Sequence, residues 1–403
     1  MTVVAQPEEE RPRPGSRRVD GIVLAIVLVM IFALITAVYS FQRSAILDAT
    51  ISRNRLDVAE ADGLAKGGLR IAEALVAIVH AKYLAAATGD GGNDALPSLS
   101  LSGGPGGGAA GADALWQGIG NFPIQLDHDR RLHIEIEDEG AKLNLNALVE
   151  AAVSSPNGEL PPLDPDDEPD DEAGTTAEED AVEYLTAVLD YVVDGMQKSS
   201  RDHNYDTSRI AENLLDFIDG DSTAMDGRAE DEYYRRQDPP YSAWNRPLVS
   251  IDQIGLVEDV DPALLAELRH YLTVHPIGST SGINLNRAEP WVLKLVYNGT
   301  SGNRHLINEK LAEDLYRLRD KDKLVCNDSG ADPRCVSLSE VGNGELGNGS
   351  IYPEVRLPAQ PSVFRVVATA QVGDITRRFE AIYDTRPILG PQLLSWRRLR
   401  GSY

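Results

Sequence analysis

Residues 214 to 245, LLDFIDGDSTAMDGRAEDEYYRRQDPPYSAWN, form the densest run of oxygen donors in the chain. Asp219, Asp221 and Thr223 have the spacing of positions 1, 3 and 5 of a calcium loop, and Glu230 falls at position 12, where a bidentate carboxylate belongs. Hard oxygen ligands at this density point to Ca²⁺. The pattern is not an EF-hand, because Ala224 stands where that loop needs glycine. Asp226 and Asp231 are further possible ligands, and the competing reading is a helix stop followed by a solvated acidic loop. Asn327, Asp328 and Asp332, enclosed by Cys326 and Cys335, offer a second oxygen-rich loop. Outside the cytoplasm those two cysteines are expected to form a disulfide.

Enzyme chemistry finds little support. The seven histidines (His80, His128, His133, His203, His270, His275 and His305) form no HExxH motif, and no GxSxG nucleophile accompanies them. Two thiols without a CxxC cannot complete a zinc site. The run GGPGGG lacks the lysine and hydroxyl of a phosphate loop. Paired carboxylates discriminate nothing in a chain of net charge -25. A non-enzymatic protein is expected.

The elements that must carry these donors begin with an apolar stretch, Gly21 to Gln42, which contains no charged residue. As a helix it spans about 33 Å, enough to cross a membrane and too long for the core of a cleaved secretory signal. Four arginines (Arg11, Arg13, Arg17 and Arg18) precede it and three (Arg43, Arg53 and Arg55) follow. The amino terminus is placed inside, because the leader is short and Arg17 and Arg18 adjoin the span. No proline occurs between Pro14 and Pro97, and Ile51, Val58, Leu64, Leu69, Leu75 and Ile78 continue a near-helical period. The helix is predicted to run on past the membrane, with Gly63, Gly67 and Gly68 each costing about 1 kcal/mol relative to alanine.

Two hairpins are predicted. In the first, Ile124 and Leu126 lead through a polar turn to Leu132, Ile134 and Ile136. In the second, Phe364, Val366, Ala368, Ala370 and Val372 turn at Gly373-Asp374 into Ile375, Arg377, Phe379, Ala381 and Tyr383. The stretch between them reads as mainly helical. The expected fold is therefore α+β: a long amino-terminal helix packed on a small antiparallel sheet, with a large helical domain inserted between the sheet strands. The predicted boundaries are 1–21 leader, 22–88 transmembrane and extended helix, 89–114 Gly-rich loop and 115–140 first β part. They continue with 141–345 inserted domain (acidic linker 154–180), 346–386 second β part and 387–403 tail. Between Asp164 and Asp180 there are ten acidic residues and no basic one, which suits a solvated linker. An internal echo, AKLNLNALVEA against SGINLNRAEPWVLKLV, suggests that Asn146 and Asn286 cap the helices that follow them.

Several of these segments, taken together, carry a family resemblance. A short basic leader ends in Gly21 before the apolar helix, and EIEDEGAKLNLNAL, LLDFIDGDS, AEDEYYRRQDPPYSAWNRPLVSIDQIGLVEDVDPALLAELRHYLTVHP and INLNRAEPWVLKLV follow in order. The set resembles type II secretion minor pseudopilin K, also called general secretion pathway protein K. The resemblance covers about residues 16 to 385 apart from the glycine-rich and acidic insertions. It implies a pilin-like fold whose insertion is SAM-like or helix-hairpin-helix-like. It implies cleavage by a prepilin peptidase between Gly21 and Ile22, with methylation of the new amino terminus. It also implies assembly with the I, J and H minor pseudopilins and the major pseudopilin filament, initiating the pseudopilus for protein secretion across the outer membrane. The chain would sit in the bacterial inner membrane as a single-pass protein with its bulk in the periplasm, then at the pseudopilus tip. Calcium ligands implied by the family's motif fall on Asp219, Asp221, Glu230 and Asp231.

Most pilin-like proteins have a glutamate five residues after the cut, where it pairs with a neighbour's amino terminus, and the K subunits lack it. Here that position is Ile26. A subunit with none above it has no ammonium to neutralise, and an unpaired carboxylate in an apolar bundle would be costly.

The alternative reading is a membrane-tethered helix-hairpin-helix DNA-binding or uptake protein, from SIDQIGLVEDVDPALLAELRHYL with Gly255 in its turn. From Asn245 to His275, however, five acidic residues face two arginines, the wrong sign for phosphate. No nucleic-acid partner is expected.

Overall fold

The computed structural model describes residues 17–87, 121–153, 171–199 and 204–399, apart from short stretches at 280, 301–302, 322, 328–332, 345, 348–350, 356, 358, 360 and 388–389. The expected glycine-rich loop, most of the leader and the acidic linker up to Asp170 lie outside the described residues.

Helix α1 (Arg17–Ala87) is 71 residues long and passes through Gly21, Ile22 and Ile26 without interruption. It is the one described helix long and apolar enough to cross a membrane, by length and composition. Strands β1 (Asn121–Asp127) and β2 (Arg130–Asp138) form the first hairpin. The chain then leaves the sheet. It passes through β3 (Leu143–Asn144), α2 (Asn146–Val153), α3 (Asp171–Ser199), α4 (Thr207–Asp216), α5 (Asp231–Tyr234), α6 (Pro262–Leu268) and β4 (Leu272–Thr273). There follow α7 (Pro290–Leu293), β5 (Tyr297–Thr300), β6 (Asn303–Leu306), α8 (Glu309–Asp320), β7 (Leu324–Cys326), β8 (Cys335–Ser337) and β9 (Ile351–Tyr352). Strands β10 (Val363–Val372), β11 (Ile375–Asp384) and β12 (Gln392–Leu399) complete the original sheet.

That sheet has the order β1-β2-β10-β11-β12 and is antiparallel throughout. Its strands are thus separated in sequence by a large insertion, the α+β fold read from the two hairpins. Alternation along β10 and β11 turns Phe364, Val366, Ala368, Ala370, Phe379, Ala381 and Tyr383 toward α1, where they meet Ala65, Leu69, Ala72, Val76 and Val79. The small residues let helix and sheet approach closely. Gly68 is part of that fit, since a Cβ there would stand 2.8 Å from Leu132 Cδ1 and 3.1 Å from Ala368 Cβ. Gly373 (φ 55°) makes the tight turn between β10 and β11. Leu126 is exposed: it is the extra residue where the β1–β2 register shifts between Gln125 and Asp127.

Three expectations need correction. Residues 387–403, expected to be a tail, supply the edge strand β12. Residues 346–362, expected in the second β part, belong to the insertion: Ile351–Tyr352 pairs with β5, and the sheet resumes only at Val363. The insertion itself mixes short strands with its helices, because segments such as Tyr297–Thr300 and Asn303–Leu306 pair locally.

Asn146 and Asn286 are not helix caps. Asn146 donates to the Leu248 and Val274 carbonyls at 3.0 and 2.8 Å and accepts from Leu248 N–H at 2.8 Å. Asn286 donates to Val325 C=O at 2.8 Å and accepts from Val325 N–H at 2.7 Å. In each copy the preceding asparagine, Asn144 or Asn284, accepts from the N–H of the second. The echoed motif is thus a device that satisfies the backbone of a distant segment inside the core.

Candidate metal centre

Helix α4 is capped by Asp206, which accepts from Arg209 N–H, and it buries Ile210, Leu214 and Leu215. Its end delivers Asp219 into a loop that folds back on itself. Ala224 N–H donates to Arg228 C=O at 2.8 Å, Thr223 bridges to Ala229, and Gly227 (φ 81°) takes the left-handed position. Glycine is therefore present at the sharp turn, three residues later than in an EF-hand loop. This small hairpin sets Asp221 against Glu230.

The result is a cluster in which one carboxylate oxygen from each of Asp219, Asp221 and Glu230 lies within 4.8 Å of the others. Among the described residues, none of the three is paired with Lys or Arg. Burial, reinforced by the Asp221 charge, pushes the Asp219 carboxyl up to about 6. Burial and the charge of Asp219 push Glu230 up to about 8. Asp216, behind the cluster, rises to about 7, mainly through burial. Three buried oxygens, Asp219 Oδ1, Glu230 Oε1 and Asn245 Oδ1, have no hydrogen-bond donor. Like charges this close, with orphaned oxygens and no neutralising side chain, suit a hard divalent cation.

Asn245 was not anticipated. Its backbone is left-handed (φ 44°), its N–H and that of Trp244 donate to Phe217 C=O at 3.0 Å, and its amide donates to Glu230 Oε2 at 2.9 Å. The amide nitrogen also reaches Asp221 C=O. Its carboxamide oxygen is buried without a hydrogen-bond donor. Asparagine tolerates a left-handed backbone, but Asn245 lies beyond α5, outside the twelve-residue loop.

The other expected ligands stand apart. Asp231 accepts from Ala243 N–H at 2.9 Å and pairs with Arg235 at 2.8 Å, so both its oxygens are engaged. Asp226 turns to Arg228, which holds its carboxyl below the usual range. Thr223 is exposed and donates its N–H to Asp221 at 2.7 Å. Of the second loop, Asp328 and Asp332 lie outside the described residues. Cys326 and Cys335 are joined by a disulfide beside the β7–β8 pair.

Gly21 and Ile22 lie within continuous helix, and Ile26 is exposed on it. The hairpin considered for DNA binding forms a short 3-10 helix, Ile251–Leu256, followed by α6. Its arginines are engaged, Arg246 over the Trp244 ring and Arg269 with Asp252.

Residues 141–277 match the family model described as type II secretion system protein K, first domain. The resemblance read from the central block is borne out over that segment. No curated protein matches the chain. Among solved structures, the crystal structure of the GspK-GspI-GspJ complex from the enterotoxigenic Escherichia coli type 2 secretion system contains a similar chain. The two are 16% identical with a TM-score of 0.44, the match covering 85% of this chain and 99% of that one.

Proposed function

We propose that this chain is a protein K minor pseudopilin of a type II secretion system. The observation that carries the reading is the match of residues 141–277 to the protein K model, in the segment that forms the first half of the insertion. Each part of the molecule then has a task. The apolar first half of α1 holds the chain in the inner membrane before assembly and packs in the filament afterwards. Ile26 leaves no carboxylate to be neutralised by a subunit above, which suits the end of the filament. Partners are the I and J minor pseudopilins, with H and the major pseudopilin below them. The prepilin peptidase acts between Gly21 and Ile22, and the amino terminus before it is cytoplasmic.

Calcium belongs to the same proposal. Asp219, Asp221 and Glu230 would hold the ion with Asn245, and Asp231 would orient the surrounding loop through Ala243 and Arg235. The cation supplies charge neutralisation that lets three carboxylates share a half-buried site, which makes its role structural.

The test is affinity purification of the tagged full-length chain from secreting cells. Co-recovery of other minor pseudopilins is expected. Recovery of none, with secretion unchanged when the chain is deleted, overturns the reading.

A further inference from the structure

The two apolar cores of the molecule do not merge. One lies between α1 and the sheet, and the other fills the insertion. Where the chain crosses between them the contacts are polar: Asn284 donates to Asp138 at 3.3 Å, and Arg386 to Ile277 C=O at 2.9 Å. Contacts at a crossing fix where the insertion is attached and leave its angle free to vary. A second attachment, away from the crossing, is needed to set that angle.

Strand β12 supplies one. On the sheet face turned away from α1, charges alternate across the strands. Arg365 of β10 pairs with Glu137 of β2 at 3.0 Å and with Glu380 of β11 at 2.7 Å. Arg397 of β12 pairs with the same Glu380 at 2.7 Å. The other arm of Arg397 leaves the sheet and pairs with Asp252 of the insertion, which also holds Arg269. Glu380 lies four residues inward from Asp384 at the seam, about 13 Å along the strand. Neighbouring Trp396 turns to the opposite face, where it stacks on Phe379 with ring centroids 5.8 Å apart and has Lys66 of α1 5.9 Å from its own centroid. Alternation along one short strand thus fastens it to helix, sheet and insertion together.

We infer that β12 is a strap that holds the insertion at a fixed angle on the helix-and-sheet module, through Arg397 set between Glu380 and Asp252. The ladder is graded: the Glu380 side chain is 6% exposed, whereas Arg397 and Asp252 are 38% and 42% exposed. Salt screens exposed pairs over about 3 Å at 1 M and buried pairs far less. High salt therefore frees the insertion and leaves β12 in its sheet. The inference is independent of the secretion reading.

Nitroxide labels at Thr376→Cys in the sheet and Glu313→Cys in α8 of the detergent-solubilised full chain report the angle as a distance distribution. A narrow distribution at low salt is expected, broadening at least twofold at about 1 M salt and to a similar extent in Arg397→Gln at low salt. Arg398→Gln, one residue on and facing the other side, keeps it narrow. The salt titration needs no strap variant, so the inference stands testable even if Arg397→Gln misfolds. A distribution of unchanged width in high salt, or in a folded Arg397→Gln, overturns it.

Discussion

The helix-and-sheet module and the insertion solve the same packing problem with different residues. The module closes on alanine and glycine: Ala61, Ala65, Gly68 and Ala72 of α1 against Ala368, Ala370 and Ala381 of the sheet. The insertion fills its core with Leu185, Leu189, Leu214, Phe217, Tyr184 and Tyr297 and ties its loops with asparagine side chains and a disulfide. Charge divides even more sharply. Residues 139–362 carry 43 acidic and 19 basic side chains, against 20 and 19 in the rest of the chain. Almost all of the net charge of -25 therefore belongs to the insertion. One region depends on backbone proximity, and the other on satisfying polar groups, among them the clustered carboxylates of Asp219, Asp221 and Glu230.

The sharpest break in that comparison is Asn146→Ala. It leaves Leu248 N–H and C=O and Val274 C=O unpartnered in the core, and about 3 kcal/mol of insertion stability should be lost. Hydrogen exchange should rise across the insertion while α1 and the sheet stay protected. Calcium removal comes next. If the free ion is at about 100 times its Kd, chelation should cost about 2.7 kcal/mol, read as a lower melting temperature for the insertion. Glu230→Gln should abolish the difference between calcium and chelator, and a persisting difference would move the ion elsewhere. Gly68→Val acts on the other region. Its side chain meets Leu132 and Ala368, so a loss of about 1–3 kcal/mol should appear in the helix-and-sheet module alone.

The smallest effect lies at the seam. Burial pushes Asp138 up to about 6, against the backbone N–H of Gly140 and the charge of Arg287. Folded protein then binds more protons than unfolded protein between the ordinary carboxyl value and about 6. The contribution to stability is full below that ordinary value and is lost as pH rises through about 6. Asp138→Asn should remove this slope, so wild type should lose melting temperature relative to the variant between about pH 4 and about pH 6.

How much of this was legible in the sequence depended on range. Alternation in β2, β10 and β11 is local and their core face reads correctly, whereas the buried stripe of α1 is Ala65, Leu69, Ala72, Val76 and Val79, which shares only Leu69 with the expected period of Ile51, Val58, Leu64, Leu69, Leu75 and Ile78. Asp219, Asp221 and Glu230 were found because one loop carries them all. Asn245 was missed because it lies beyond α5, outside the loop that carries the three carboxylates. Strand β12 was missed because QLLSWRRL lacks apolar alternation; its pairing with β11 instead sets Arg397 against Glu380. The asparagine echo was visible, but its meaning lay in partners such as Leu248, 102 residues away.

Amino-terminal sequencing with mass analysis of the protein isolated from membranes tests the central claim most directly. A chain that begins at a methylated Ile22 is the predicted result. A chain that retains Gly21 and the residues before it, recovered from cells with an active prepilin peptidase, would contradict the account.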